Sequence, residues 1–151
     1  MTLLFNLLSL VIVGKVFSSC GSKSLRIING EVAAVWPWMV SFQSVSQNRH
    51  FCGGSLITPQ FVLSAAHCFE HNKTFFMIAG ANNLNDPNLI IHEVSSVTLH
   101  ENYNSTSLEN DIALIKLTEE ITDSSKVSPI CLPSHTDESL IINQKVIISG
   151  W

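Results

Sequence analysis

The chain has 151 residues, of which 46% are hydrophobic and 13% are charged, and its formal net charge at pH 7 is −4. This length is enough for one ordinary domain. From residue 27 onward the chain carries five basic and twelve acidic side chains, a net charge of −7. A surface with this balance repels phosphate backbones, so nucleic acid is excluded as a partner.

Residues 1–13 are almost wholly apolar and are interrupted only by Asn6 and Ser9. A membrane-spanning helix needs about 20 apolar residues, so this run is too short to cross a bilayer. A short apolar run followed by small residues is typical of a secretory signal peptide, and we assign residues 1–18 to one. We therefore expect a secreted, extracellular protein with no membrane partner.

Cysteine usage agrees with an oxidising location. The spacing contains no C-x-x-C pair and no zinc-type combination with histidine, so we expect disulfides rather than a metal site. We also expect no cofactor. Four cysteines allow three pairings, and spacing does not choose among them. The cysteines are Cys20, Cys52, Cys68 and Cys131. Two sequons, at Asn72 and Asn104, predict glycosylated surface loops.

Short apolar runs separated by turn residues follow one another and are typical of an all-β barrel. The predicted strands are 38–43, 51–57, 61–65, 75–79, 90–99 and 112–117. In the first strand apolar and polar residues alternate, which predicts one buried and one exposed face. Six antiparallel strands are enough for one small closed barrel, which we assign to residues 27–117.

Residues 118–145 are rich in Ser, Thr, Asp, Glu and Pro and are predicted to be a connecting segment. They lead to an apolar strand over 146–148 that has no predicted partner in the chain. An unpaired apolar strand is an aggregation hazard. We therefore expect residues 146–151 to open a second barrel that is almost entirely absent from this sequence.

Two residues have side chains suited to nucleophilic catalysis. A serine hydroxyl needs a base whose proton affinity lies near neutral pH, and histidine, with a reference pKa near 6.5, meets this need. A carboxylate bound to the other ring nitrogen fixes the tautomer of that base. His67 and Asp111 are the candidates, although each taken alone is as well explained by local hydrogen bonding or a turn.

The context of these residues resembles the chymotrypsin and trypsin family of serine proteases. Five motifs follow in the family's order: Trp36-Pro37-Trp38, Cys52–Ile57, Leu63–Cys68, Asp111–Leu114 and Ser149-Gly150-Trp151. The resemblance covers residues 20–151 and implies a fold of two barrels, of which this chain holds the first. It also implies His67 as general base and Asp111 as the residue that orients it.

The same resemblance implies a zymogen. Residues 19–26 would be a propeptide that an activating protease removes by cleaving between Arg26 and Ile27. It implies two disulfides, Cys52–Cys68 and Cys20–Cys131, the second of which would keep the propeptide attached. A bond from Cys131 to a residue beyond this sequence is the alternative.

The expected function is that of a secreted serine endopeptidase acting on protein or peptide substrates. Leu108, in the loop before Asp111, would line a substrate subsite, and a glycan on Asn104 would crowd long substrates. The chain contains no Gly-Asp-Ser-Gly-Gly segment, so it lacks the nucleophile and is expected to be inactive alone. The alternatives are a non-catalytic homologue that acts as a secreted binding or cofactor module, and a truncated secreted binding protein.

Overall fold

The computed structural model describes residues 36–70, 74–122, 126–132 and 149–151. Several sequence predictions lie outside these residues. They are the signal peptide, the propeptide, the cleavage site at Arg26 and Ile27, Cys20, the sequon at Asn72 and the strand over 146–148.

The regular structure of the described residues consists of β-strands and one short 3-10 turn. The strands are β1 (Met39–Ser44), β2 (Arg49–Thr58), β3 (Phe61–Ser64), β4 (Phe75–Ala79), β5 (Ile91–His92), β6 (Val94–Leu99) and β7 (Ala113–Leu117). The turn, Ala66–Phe69, follows β3. The all-β prediction is confirmed.

The strands form one antiparallel sheet in the order β5-β4-β1-β2-β3-β7-β6. β5 and β6 lie at opposite ends of this order, yet only Glu93 separates them in the chain. One residue cannot span the width of an open seven-stranded sheet, so the sheet curls until its edges approach, as a nearly closed barrel. The sequence prediction counted β5 and β6 as one strand over 90–99, which the structure divides at Glu93.

Apolar side chains on the inner faces of the strands fill the barrel. On β7 the alternation is complete, because Ala113, Ile115 and Leu117 are buried whereas Leu114 and Lys116 are exposed. The other fully buried large apolar side chains come from β1, β2, β3 and β4: Val40, Phe42, Leu56, Val62 and Met77. The core therefore lies inside the barrel, where strands on all sides contribute to it.

A cluster of phenylalanine rings joins the 3-10 turn to this core. Phe69, in the turn, packs with its ring centroid 5.1 Å from those of both Phe42 and Phe75. Phe51 lies 6.2 Å from Phe69. Aromatic pairs at these distances add about 0.5–1.5 kcal/mol each beyond the area that they bury. The turn is thus fixed to the barrel by its own side chain.

The prediction that β1 is half-buried is wrong. Ser41 and Gln43, on its polar face, are 0% and 6% exposed. β1 pairs with β2 on one side and with β4 on the other, so it lies inside the sheet. The polar atoms bond to one another and to a histidine: Gln43 Nε2 donates to Ser41 Oγ at 2.7 Å, and Ser41 Oγ lies 2.8 Å from His50 Nδ1. These hydrogen bonds offset the cost of burying them.

Candidate active site

The turn that follows β3 directs the His67 side chain outward. Its neighbours Ala66 and Cys68 are buried, at 0% and 6% exposure. A disulfide joins Cys68 to Cys52 on β2, with the two Cα atoms 6.2 Å apart. Because both neighbours point inward, the His67 side chain is held at the surface and is 51% exposed.

The pairing of β3 with β7 brings the second candidate to the same place. The two strands are antiparallel neighbours, with Ser64 opposite Ala113. β3 therefore ends where β7 begins. His67 lies three residues after Ser64, and Asp111 lies two residues before Ala113, so the sheet register places the two side chains together although 44 residues separate them in the chain.

Two hydrogen bonds join His67 to Asp111. The His67 backbone N–H donates to Oδ1 of Asp111 at 2.8 Å, and His67 Nδ1 lies 2.7 Å from Oδ2. The bond to the ring, and then the bond to the backbone amide, lower the pKa of Asp111. An ionised carboxylate can only accept, so Nδ1 carries the proton and Nε2 of the neutral ring is the acceptor.

The environment of the carboxylate differs from that of a buried acid. The Asp111 side chain is 22% exposed rather than fully enclosed. On the far side of the ring, His67 Nε2 lies 3.6 Å from Sγ of Cys68. When the imidazole is neutral, the carboxylate fixes the proton on Nδ1 and Nε2 is the nitrogen that can accept a proton from an incoming group.

Sequence reasoning missed a further contact between these two segments. The Tyr103 hydroxyl donates a hydrogen bond to Oε1 of Glu70, the residue that follows the 3-10 turn. This bond first, and then desolvation and the negative charges of Glu70 and Asp111, raise the pKa of Tyr103 to about 12. Tyr103 and Glu70 are 33 residues apart, and the one available signal was that Tyr103 is the sole tyrosine in the chain.

The other predicted residues of this loop lie at the surface. Leu108 is 53% exposed and has a φ of 57°, which is unusual for a bulky residue. Asn104 is exposed, and its Oδ1 accepts hydrogen bonds from the backbone N–H groups of Thr106 at 2.9 Å and Ser107 at 3.2 Å.

Cys131 is disulfide-bonded, and its predicted partner Cys20 lies outside the described residues.

One cluster of side chains near the candidate site contains atoms that could ligate a metal ion. Among the described residues, the group of potential ligands whose atoms lie within 4.8 Å of one another is Cys52, His67 and Cys68. The two sulfur atoms are joined in the disulfide and cannot serve as thiolate ligands. These residues therefore do not fit a metal site.

Comparison with known proteins places the chain in a family. The family model described as Trypsin matches residues 27–151. Chymotrypsin-C from Bos taurus is 38% identical over 149 residues, which cover 89% of this chain and 54% of that protein. Chymotrypsin-C from Mus musculus is 38% identical over 147 residues, with the same coverage.

A third relative is longer. Transmembrane protease serine 11B from Homo sapiens is 37% identical over 130 residues, which cover 83% of this chain and 30% of that protein. The chain thus spans about half the length, or less, of these relatives. No helix among the described residues is long and apolar enough to cross a membrane. The chain belongs to the trypsin family of chymotrypsin-like serine proteases.

Proposed function

We propose that the protein is a secreted serine endopeptidase, made as a zymogen, in which His67 is the general base and Asp111 orients it. The observation that supports this proposal is the pair of hydrogen bonds, at 2.7 and 2.8 Å, that joins the ring and the backbone amide of His67 to one carboxylate. Two bonds fix both the position and the tautomer of the ring, as a general base requires.

The chemistry follows from the protonation states at this pair. Nε2 of the neutral ring takes the proton of a serine hydroxyl while the hydroxyl oxygen attacks the carbonyl carbon of the substrate. The ring is then cationic, and the adjacent carboxylate stabilises that charge. The same proton later passes from Nε2 to the leaving amine. Residues 1–151 contain no Gly-Asp-Ser-Gly-Gly segment, so we propose that this polypeptide alone has no turnover.

A covalent probe tests the catalytic assignment. The full-length protein, cleaved after Arg26, is expected to react with a fluorophosphonate, which labels activated serines. His67→Ala is expected to abolish labelling, because removal of this base costs about six orders of magnitude in kcat in a related triad enzyme. The control is His92→Gln, on β5, which should react normally. Normal labelling of the His67→Ala variant would contradict the assignment.

Zymogen activation at Arg26 is part of the proposal. The new N-terminal ammonium of Ile27, with a reference pKa of about 7.7–8.0, would pair with an acid beyond this sequence. Brief treatment with trypsin should give a polypeptide that begins at Ile27, and Arg26→Gln should prevent its formation. The secretion proposal is tested separately, since the exported protein should have lost residues 1–18. An exported chain that still begins at Met1 would contradict the signal assignment.

The loop before Asp111 is proposed to shape substrate access. Leu108 is an exposed apolar side chain held in a left-handed conformation, and such strain concentrates at functional sites. Asn104 uses Oδ1 for the loop's own hydrogen bonds, which is compatible with a glycan attached through its Nδ2. Removing the glycan from the active full-length protein should raise cleavage of protein substrates more than cleavage of short peptides. Equal effects would contradict a role in access.

A further inference from the structure

The bond between Tyr103 and Glu70 joins the two segments that carry the proposed catalytic pair. Glu70 directly follows the turn that bears His67. Tyr103 lies in the loop between β6 and β7 that also carries Asp111, and its backbone N–H donates to His100 O at 3.0 Å. Neither residue is a member of the catalytic pair. The link is thus a second attachment between these segments, separate from the bonds of Asp111.

The two ends of this link differ in burial. The Tyr103 ring is partly buried and packs against the barrel core, whereas Glu70 is exposed. The hydroxyl at the end of an anchored ring is fixed in space, so it restrains a surface carboxylate and with it the end of the turn. Surface loops open locally at low free-energy cost. A bond from the core-anchored ring to the turn opposes that opening.

We propose that Tyr103 and Glu70 are a positioning pair that holds the Asp111 loop against the His67 turn, so that the imidazole and the carboxylate stay within hydrogen-bond distance. Its consequence for catalysis rests on the proposed function. The contact and its effect on the His67–Asp111 bonds do not depend on activity. Neither residue touches the reacting atoms, so neither is catalytic.

The chemistry of the pair suits this task. The hydrogen bond to Glu70 is the main reason why the pKa of Tyr103 is raised to about 12, with further contributions from desolvation and from the charges of Glu70 and Asp111. The hydroxyl therefore keeps its proton throughout the pH range in which a histidine base operates, near its reference pKa of about 6.5. The donor is not lost under working conditions.

Hydrogen exchange on the 151-residue chain tests the positioning role directly. The His67 backbone N–H is bonded to Asp111 Oδ1, so its exchange rate reports separation of the loop from the turn. The reference is the Ile115 amide in β7, which reports the stability of the barrel. Tyr103→Phe keeps the packed ring and removes only the hydroxyl. We expect it to speed exchange at His67 relative to Ile115 about twofold to tenfold, the factor for losing one hydrogen bond of typical net strength.

Two variants of Glu70 separate the hydrogen bond from its charge. Glu70→Ala removes the acceptor from an exposed side chain that fills no core space. It should raise the exchange rate at His67 relative to Ile115 as much as Tyr103→Phe does, even if Tyr103→Phe also destabilises the barrel. Glu70→Gln keeps an oxygen acceptor and should restore most of the protection. The matched control is Glu109→Gln, because Glu109 accepts from Ser107 within the same loop at 3.1 Å and does not reach the turn. Glu109→Gln should leave the ratio of the exchange rates at His67 and Ile115 unchanged.

Kinetics of the activated full-length protein complete the test. Misplacement of a base by a fraction of its hydrogen-bond length reduces kcat, so we expect Tyr103→Phe to lower kcat about tenfold with little change in KM. An exchange ratio equal to that of the unmodified chain in both Tyr103→Phe and Glu70→Ala would overturn the positioning role. Absence of activity in the full-length protein would instead refute the proposed function and leave the exchange result to decide the inference.

Discussion

Removal of the disulfide between Cys52 and Cys68 is expected to lower stability by an amount that loop length predicts. The two residues are 16 positions apart, so the bond closes a loop of 17 residues that contains most of β2, all of β3 and the start of the His67 turn. In the chain-entropy treatment a loop of this length stabilises the folded state by about 3 kcal/mol, because it restricts the unfolded chain.

The folded barrel should survive the change. Cys52 lies on β2, where it is paired in register with Phe42, and that pairing does not need the sulfur. Cys68 is 6% exposed and is followed by Phe69, whose ring contacts keep the turn against the core. Replacing both cysteines by alanine removes two sulfur atoms, one on the buried Cys68 and one on the partly buried Cys52. Most of the loss should therefore come from the unfolded state.

Urea unfolding followed by tryptophan fluorescence gives the measurement. For a domain of this size the urea slope is about 1–3 kcal/mol/M, so a loss of about 3 kcal/mol lowers the midpoint by about 1–3 M. The comparison is between the unmodified chain and Cys52→Ala with Cys68→Ala, and the matched serine pair controls for polarity. An unchanged midpoint at an unchanged slope would refute the reasoning.

Four other outcomes are expected. In full-length protein, Asp111→Asn should lower kcat about four orders of magnitude, the cost in the reference triad of this family. The hydrogen bonds from His67 lower the pKa of Asp111, so the stability that they contribute is complete above the carboxyl's reference pKa of about 3.9 and is lost as the pH falls through the lower pKa of the folded state. Urea midpoints measured between pH 2 and 6 should show this loss of stability. In Asp111→Asn this part of the pH dependence should be absent. Absorbance titration of Tyr103, the sole tyrosine, should give a pKa of about 12 that Glu70→Gln moves toward the reference value of about 10; a value near 10 in the unmodified chain would contradict the contact. Gly54→Ala should destabilise the barrel by about 1–3 kcal/mol in the urea assay, since its Cβ would lie 2.8 Å from a carbonyl oxygen of β3. A urea midpoint equal to that of the unmodified chain would contradict this expectation, because it would mean that β2 and β3 can move apart at no cost in stability.

Local pattern was enough to predict which segments become strands. Alternation and turn residues located the strands to within a few residues, because side-chain period and turn chemistry are properties of the local chain. The burial of Ser41 was not predictable in this way. Polar residues at alternate positions predict an exposed face only when no other group covers it, and here Ser41 and Gln43 are 0% and 6% exposed and hydrogen-bond to each other, with His50 against Ser41. The break at Glu93 depends on closure of the barrel, which is a long-range property.

The residues of the candidate site that could be predicted are those within short sequence motifs that follow one another in the order typical of the family. His67 and Asp111 stand in such segments, so the family resemblance is enough to predict that they form a pair. Tyr103 and Glu70 do not, since each is unremarkable within its own segment and their contact exists only because β3 and β7 are neighbours. The left-handed φ of Leu108 was likewise hidden, because nothing in a leucine side chain favours that conformation.

Under the proposed function, these contacts would orient the base before any substrate arrives. His67 and Asp111 are delivered by adjacent strands of one barrel, and the disulfide at Cys68 fixes the histidine side of the pair. The imidazole therefore does not depend on the group that carries the hydroxyl for its tautomer or direction. If the proposed function is right, the hydroxyl would then have to be brought to Nε2 without a separate step that orders the imidazole and its carboxylate. Since orientation of reacting groups is a large part of an enzyme's advantage over solution, a proposed base that one barrel already orients would leave less ordering to the rest of the proposed active site.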